Sequence, residues 1–257
     1  MFAALLVDAN CAVSVERLID VVWDENPPAT ARQQIQNRLG KMRSFLLRGS
    51  SAQRIVRLGS SYTLEVPEDK VDGLRFRGLC AEAEAARRRQ DLEHASALLR
   101  HGLDLWRGSA IQGVESLALE ADARRWDEAR LRAVEDVVDI DFARGRKVGM
   151  ISDLHAWVGV YPYHEGLHCR FAEALYEAAR TVESLTVLRD LKKRLSDELG
   201  IRPGPAVTRL ERQILDGEGS ITDRPRPLQI DRQAAEALRQ ALTETTRALA
   251  ILAKALA

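Results

Sequence analysis

Apolar residues recur along the chain mostly at helical spacing. Residues 2–9 form a short apolar stretch that reads as a first helix and is cut off near Asp8. Ser14 stands where a cap is needed for a helix over 15–23, with Leu18, Val21 and Val22 on its apolar side. Asp24-Glu25-Asn26-Pro27-Pro28 then breaks the helix. Thr30 followed by Gln33 reads as a capping box opening a helix over 31–47. Ala31, Ile35, Leu39, Met42 and Leu46 lie on one stripe of that helix, at intervals of 4, 4, 3 and 4. Two β-rich runs follow, Arg54–Leu58 and residues 62–66, separated by Gly59-Ser60-Ser61, which is a hairpin signal. Helix, capped helix and basic hairpin, in that order, predict a winged helix-turn-helix with the hairpin as its wing.

From Val71 to about Leu215 the pattern is helical throughout, with breaks near Gln90-Asp91, at Trp106–Ser109, Gly145–Gly149, Pro162, Thr181 and Gly200–Pro205. Helices from Lys147 onward pair as helix–turn–helix units. Small residues recur where paired helices must approach closely, as in Phe142-Ala143…Gly145 and Ala172…Ala174. This favours tetratricopeptide-like repeats over a generic helical bundle. Residues 217–228, with Gly217, Gly219, Ser220, Pro225 and Pro227, read as a linker. Beyond it Ala235, Leu238, Leu242, Thr245, Leu249, Leu252 and Leu256 recur at 3, 4, 3, 4, 3, 4, an amphipathic helix over 229–257. Its apolar seam calls for a partner, either the chain's own helical domain or the same helix in a homodimer on DNA. Thr245 at the seam's centre favours the first. The expected architecture is mainly α: a winged helix over 1–66, a helical repeat domain over 67–216, the linker and the C-terminal helix.

Composition agrees and narrows the class. The 257 residues include 38 Lys and Arg against 38 Asp and Glu, with aromatics at only 5%, which favours helices over sheets and a folded chain over a disordered one. Three widely separated cysteines, Cys11, Cys80 and Cys169, imply no disulfide framework. No segment reaches the roughly 20 apolar residues of a membrane span, and the start lacks a basic leader region. A cytoplasmic protein with no membrane partner is expected.

Zero net charge conceals an uneven distribution. Between Asn26 and Leu64 there is no Asp or Glu, while Arg32, Arg38, Lys41, Arg43, Arg48, Arg54 and Arg57 all fall in that window. Such a stretch is a candidate phosphate-binding surface. The face of the 31–47 helix opposite its apolar stripe carries Gln33, Asn37, Gly40 and Ser44, with Gln36 and Lys41 beside them and Arg32, Arg38 and Arg43 on the flanks. Amides in mid-face with cations along the edges suit a helix in a DNA major groove. Gln and Asn bond adenine edges, while Arg and Lys reach phosphates. The expected assignment puts Gln33, Gln36, Asn37 and Lys41 toward bases, and Arg32, Arg38, Arg43, Arg54 and Arg57 toward phosphates.

Other constellations weigh less. His164-Glu165-Gly166-Leu167-His168 matches the zinc-hydrolase spacing H-E-x-x-H. Pro162, Gly166 and Arg170 make it a helix start with polar residues rather than a metal site, and Cys169 reads as a buried small hydrophobe. No Gly-rich phosphate loop and no G-x-S-x-G elbow occurs. No cofactor, metal or catalytic residue is expected, and the chain does not read as an enzyme.

Several strings carry a family resemblance. Residues 13–23, Pro27-Pro-Ala-Thr-Ala-Arg32 and the helix after them resemble the DNA-binding domain of the Streptomyces antibiotic regulatory proteins. Leu103-Asp-Leu-Trp-Arg-Gly108 and Leu195-Ser-Asp-Glu-Leu-Gly-Ile-Arg-Pro-Gly-Pro205 resemble the bacterial transcriptional activator domain that follows it in that family. The resemblance implies an OmpR-type winged helix joined to tetratricopeptide-like helices, in a protein that activates antibiotic-cluster promoters by binding direct repeats in double-stranded DNA near the −35 element and contacting RNA polymerase. Family members open with a small sheet ahead of the first helix, and here Met1 falls inside that helix, so a winged helix lacking its N-terminal sheet is expected. A helical interaction scaffold with a vestigial winged helix is the competing class.

Overall fold

The computed structural model describes residues 1–49, 53–114 and 116–217. These form two compact units, one running to Arg202 and the other beginning at Pro203. The expected C-terminal helix over 229–257 and nearly all of the preceding linker lie outside the described residues.

Helix α1 (Phe2–Val7) buries Ala4 and Leu5 and leads to a two-residue strand β1 (Val13–Ser14). Helix α2 (Val15–Trp23) starts as its sequence predicts: the Ser14 Oγ accepts a hydrogen bond from the Arg17 backbone N–H at 3.1 Å. Helix α3 (Ala31–Gly49) follows the Pro27-Pro28 break. Its start differs in detail from the predicted capping box, because Thr30 Oγ1 accepts from the side-chain amide of Gln34, one turn on, while Gln33 turns its own amide to Asn37. Strands β2 (Arg54–Leu58) and β3 (Ser61–Glu65) form the hairpin. Pairing of Leu58 with Ser61 leaves a two-residue tip, Gly59 and Ser60, one shorter than the sequence suggested. Gly59 sits at φ 60°, a left-handed backbone that a residue without Cβ adopts freely.

The antiparallel sheet has the order β1-β3-β2, with Val13 opposite Tyr62. Over it packs an apolar cluster that includes Leu5, Leu18, Ile35, Leu39, Tyr62 and Leu64. Ile35 and Leu39 are fully buried, as the α3 stripe requires.

The helical region follows as α4 (Asp72–Arg88), α5 (Leu92–Leu103), α6 (Leu117–Ala143), α7 (Ile151–Val160), α8 (Glu165–Glu177) and α9 (Thr181–Leu199). Successive helices pack as neighbours, α4 on α5, α5 on α6, α7 on α8 and α8 on α9. Small residues sit at the close approaches. A Cβ on Gly102 of α5 would lie 3.2 Å from the Phe76 ring of α4. Buried Ser184 of α9 donates to the Ala172 carbonyl of α8 at 2.7 Å, between helices whose facing Ala172 and Ala174 are fully buried.

Helix α6, at 27 residues and roughly 1.5 Å per residue, is about 40 Å long and serves two cores. Near its start Leu119 belongs to the winged-helix cluster, while Val134, Val137 and Val138 belong to the helical one. Buried Asp122 reinforces that junction by pairing with Arg17 of α2, which also reaches Asp8 at 3.3 Å. In the second unit α10 (Pro205–Leu215) begins with proline at its first turn, where the missing N–H costs nothing, and spaces Val207, Leu210 and Ile214 on one stripe. Among the described residues no helix is long and apolar enough to cross a membrane.

Candidate nucleic-acid interface

With its apolar stripe turned into the core, α3 exposes Arg32, Gln33, Asn37, Arg38, Gly40, Lys41 and Ser44. Gln36 and Arg43 are half-buried at the margins. Gln33 Nε2 donates to Asn37 Oδ1 at 3.1 Å, joining the two amides along the exposed face. The pair leaves Gln33 Oε1 as an acceptor and Asn37 Nδ2 as a donor outside that bond, on two exposed residues. Acceptor beside donor is the complement of an adenine edge in the major groove, which offers the N6 amino group and the N7 lone pair. Lys41, one turn beyond Asn37, extends the same face with a cation.

The arginines divide into two groups. Arg57 is exposed at the wing tip, where its Nε donates to the Gly59 carbonyl at 3.0 Å and so holds the side chain along the turn. The others are engaged within the fold. Arg32 pairs with Glu16 of α2, both ends exposed. Arg38 lies over the Trp23 ring at 5.3 Å. Arg54 pairs with Glu65, its registered partner across the hairpin. Arg43 is the most committed: its Nε donates to the Ile55 carbonyl of β2 at 2.8 Å, and its guanidinium stacks over the Tyr62 ring of β3 at 5.4 Å. It therefore fixes the wing against α3, a positioning role that sequence periodicity does not reveal. Phe45, 77% exposed in the last part of α3, is an apolar side chain on the outside of the helix that the polar reading of this face passed over. Its place off the 31-35-39-42-46 stripe is the signal that finds it.

The H-E-x-x-H string takes the structural role its context suggested. His164 is the N-cap of α8: its Nδ1 accepts from the Leu167 backbone N–H at 3.2 Å, and its Nε2 lies 3.2 Å from Glu135. His168 is buried with its Nδ1 3.1 Å from the His164 carbonyl, and burial pulls its pKa below the usual imidazole value. The first imidazole is thus spent on the helix start and the second turns one ring nitrogen to it, and among the described residues no group of three or more His, Cys, Asp or Glu is arranged to hold a metal. Two of the three thiols are also quiet. Burial, reinforced by Asp136, pushes Cys80 up to about 11, and burial pushes Cys169 up to about 12, so both stay protonated and poorly nucleophilic at neutral pH.

A winged helix whose α3 carries no Asp or Glu of its own, joined to paired helices, is the architecture of bacterial transcription regulators of the winged helix and helical repeat class. Residues 71–215 match the bacterial transcriptional activator domain, a range that begins at the foot of α4 and ends with α10, and the chain belongs to that family. It is 31% identical over 229 residues to the regulatory protein DnrI of Streptomyces peucetius, an alignment covering 86% of this chain and 84% of that one. It is 32% identical over 224 residues to the regulatory protein AfsR of Streptomyces coelicolor, covering 87% of this chain but 22% of AfsR, so it spans about a fifth of that relative. Both are Streptomyces regulators, in keeping with the resemblance to the antibiotic regulatory proteins. Among solved structures, Mycobacterium tuberculosis EmbR in complex with a low affinity phosphopeptide superposes with a TM-score of 0.73 at 27% identity, over 95% of this chain and 63% of that one.

Proposed function

We propose that this protein is a sequence-specific, DNA-binding transcriptional activator of a secondary-metabolite gene cluster, acting on direct repeats near a promoter and contacting RNA polymerase. Residues 1–66 are the DNA-binding part and residues 67–216 the activating part. The observation that carries the reading is the α3 face on which the Gln33–Asn37 amide pair and Lys41 stand free of any acid, with Arg57 on the wing beside it. Gln33, Gln36, Asn37 and Lys41 face bases, and Arg57 faces phosphate. Arg32, Arg38, Arg43 and Arg54 reach phosphates only with whatever part of the guanidinium their internal contacts leave free, and Arg43 acts chiefly by holding the wing. The promoter function and the polymerase contact rest on family membership. A promoter-bound activator of this kind works in the cytoplasm.

The engagement of four of these arginines within the fold gives the scaffold alternative its one point of support. Selection from a pool of randomised duplexes separates the two. An activator enriches a defined repeat, and Asn37→Ala relaxes preference at particular bases of it while binding persists. A pool that emerges unenriched from the intact chain overturns the activator reading and favours the scaffold.

A further inference from the structure

A cleft of about 640 Å3 opens where α1 faces the first turn of α4 and the 105–112 loop. Its floor is aromatic. Phe76 meets Trp106 edge to face at 5.3 Å between ring centroids, and Trp126 lies at 6.4 Å on its other side. Gly73 makes that floor possible, because a Cβ there would stand 3.0 Å from the far edge of the Trp126 indole. Leu6 and Val7 of α1 supply the apolar wall opposite.

The outer wall is built and held. Asp127 of α6 accepts from the Ala110 backbone N–H at 3.2 Å, and Arg130 of α6 donates to the Gly108 carbonyl at 3.2 Å while stacking over Trp106 at 5.0 Å. Ile111 sits at φ 55°, a backbone that β-branched residues rarely adopt, and packs against the winged-helix core. Such strain persists only where surrounding contacts over-determine the loop. The cleft therefore stands preformed at the seam between the winged helix and the helical region, a preferred position for small-molecule sites, and its volume falls within their usual range of about 300–1,000 Å3.

Charge at the rim indicates what fits. Lys70 is matched by Asp69 at 3.3 Å, and Asp72 accepts from the Gly73 N–H at 2.8 Å. Arg75 and Arg107 are exposed on the rim and make no ion pair among the described residues. An aromatic floor under two exposed guanidinium groups, on a rim where three cations outnumber two carboxylates, is complementary to a flat apolar ring system bearing one acidic group. We propose that the cleft binds a small planar aromatic anion, with its rings against Trp106 and Trp126 and its acid toward Arg107 and Arg75. The site goes beyond the DNA-binding reading and does not depend on it.

Titration of the full chain with 1-anilinonaphthalene-8-sulfonate, read by probe emission excited through the tryptophans, tests the proposal. N-phenyl-1-naphthylamine, which has the same rings without the sulfonate, is titrated in parallel. The intact chain is expected to bind the sulfonate probe at one saturable site, at least about tenfold more tightly than the neutral one. Arg107→Ala should abolish that preference. Val7→Trp, which fills the cleft from α1, should weaken both probes with circular dichroism unchanged. Saturable binding that ignores both substitutions would put the probe elsewhere and overturn the site, as would an absence of saturable binding. Equal affinity of the intact chain for the two probes would overturn the anionic class. Should Val7→Trp fail to fold, the surface variant Arg107→Ala still decides.

Discussion

Asp141, buried on α6 with 2% exposure, gathers three donors. Ser96 Oγ and Arg100 of α5 donate to one carboxylate oxygen at 3.1 and 2.8 Å, and Arg144 donates to the other at 3.1 Å. Asp141→Asn keeps the volume but removes the charge and turns an amide N–H toward an arginine. Breaking a buried ion pair from one side costs about 3–5 kcal/mol. Here Arg100 retains Asp153 at 2.5 Å and Arg144 retains Glu93 at 3.3 Å, so the lower end, about 3 kcal/mol, is expected. At roughly 2–4 °C per kcal/mol for a chain of this size, calorimetry should find the midpoint lowered by about 6–12 °C. The pH dependence follows from the carboxyl. Burial raises its pKa, but hydrogen bonds from Arg100, Ser96 and Arg144 outweigh burial and hold it below the ordinary aspartate value. Its stabilisation is therefore complete above the unfolded value of about 3.9 and is lost as pH falls through the lower folded one. The Asn penalty should be constant from about pH 5 to 7 and shrink below about pH 4. A drop smaller than about 2 °C at neutral pH, or a penalty that grows on acidification, refutes this assignment of the carboxylate.

Ser14→Ala removes the α2 cap and should cost about 1 kcal/mol, read as a midpoint shift, while Ser14→Asp should largely preserve stability. Arg43→Ala should lower both the thermal midpoint and duplex affinity, because it frees the wing from α3. Lys41→Ala should lower affinity and leave the unfolding free energy within about 0.5 kcal/mol of the parent's, as an exposed substitution does. His168 contributes a slope of its own. Burial lowers its pKa, so the unfolded chain takes up a proton near pH 6.5 before the folded one does, and stability falls as pH drops below that point. Urea titrations between pH 7 and 5 should show a shallower decline for His168→Gln, by at most about 1.4 kcal/mol per pH unit, and an unchanged slope would exclude His168 as its source.

Much of this fold is legible in the sequence because the signals are local. Helix ends near Gly145, Pro162 and Gly200 coincide with residues that stop helices by their own backbone preferences, and Ser14 and Asp91 cap α2 and α5 through contacts three residues away. What stayed hidden depends on distant partners. Strand β1 is two residues long, too short to show alternation, and exists because Val13 and Ser14 pair with β3 some fifty residues on. The break predicted at Trp106–Ser109 widens to 104–116 because α6 residues Asp127 and Arg130 pin that loop. The same limit applies to the reading face. Its stripe and its freedom from acids follow from spacing alone. The engagement of Arg32 with Glu16, Arg38 with Trp23, Arg43 with Ile55 and Arg54 with Glu65 follows only from the folded chain.

The central claim is that the α3 face and the wing meet DNA together, Lys41 toward bases and Arg57 toward a phosphate. Duplex affinity measured by fluorescence anisotropy across a series of salt concentrations tests it most directly, since each phosphate contact contributes about 0.9 to the slope of log K against log salt. Arg57→Ala should lower affinity for every duplex and reduce that slope by up to about one unit, while Lys41→Ala should lower affinity chiefly for the selected repeat with a smaller change of slope. A slope for Arg57→Ala identical to the parent's, with folding intact, would contradict the claim.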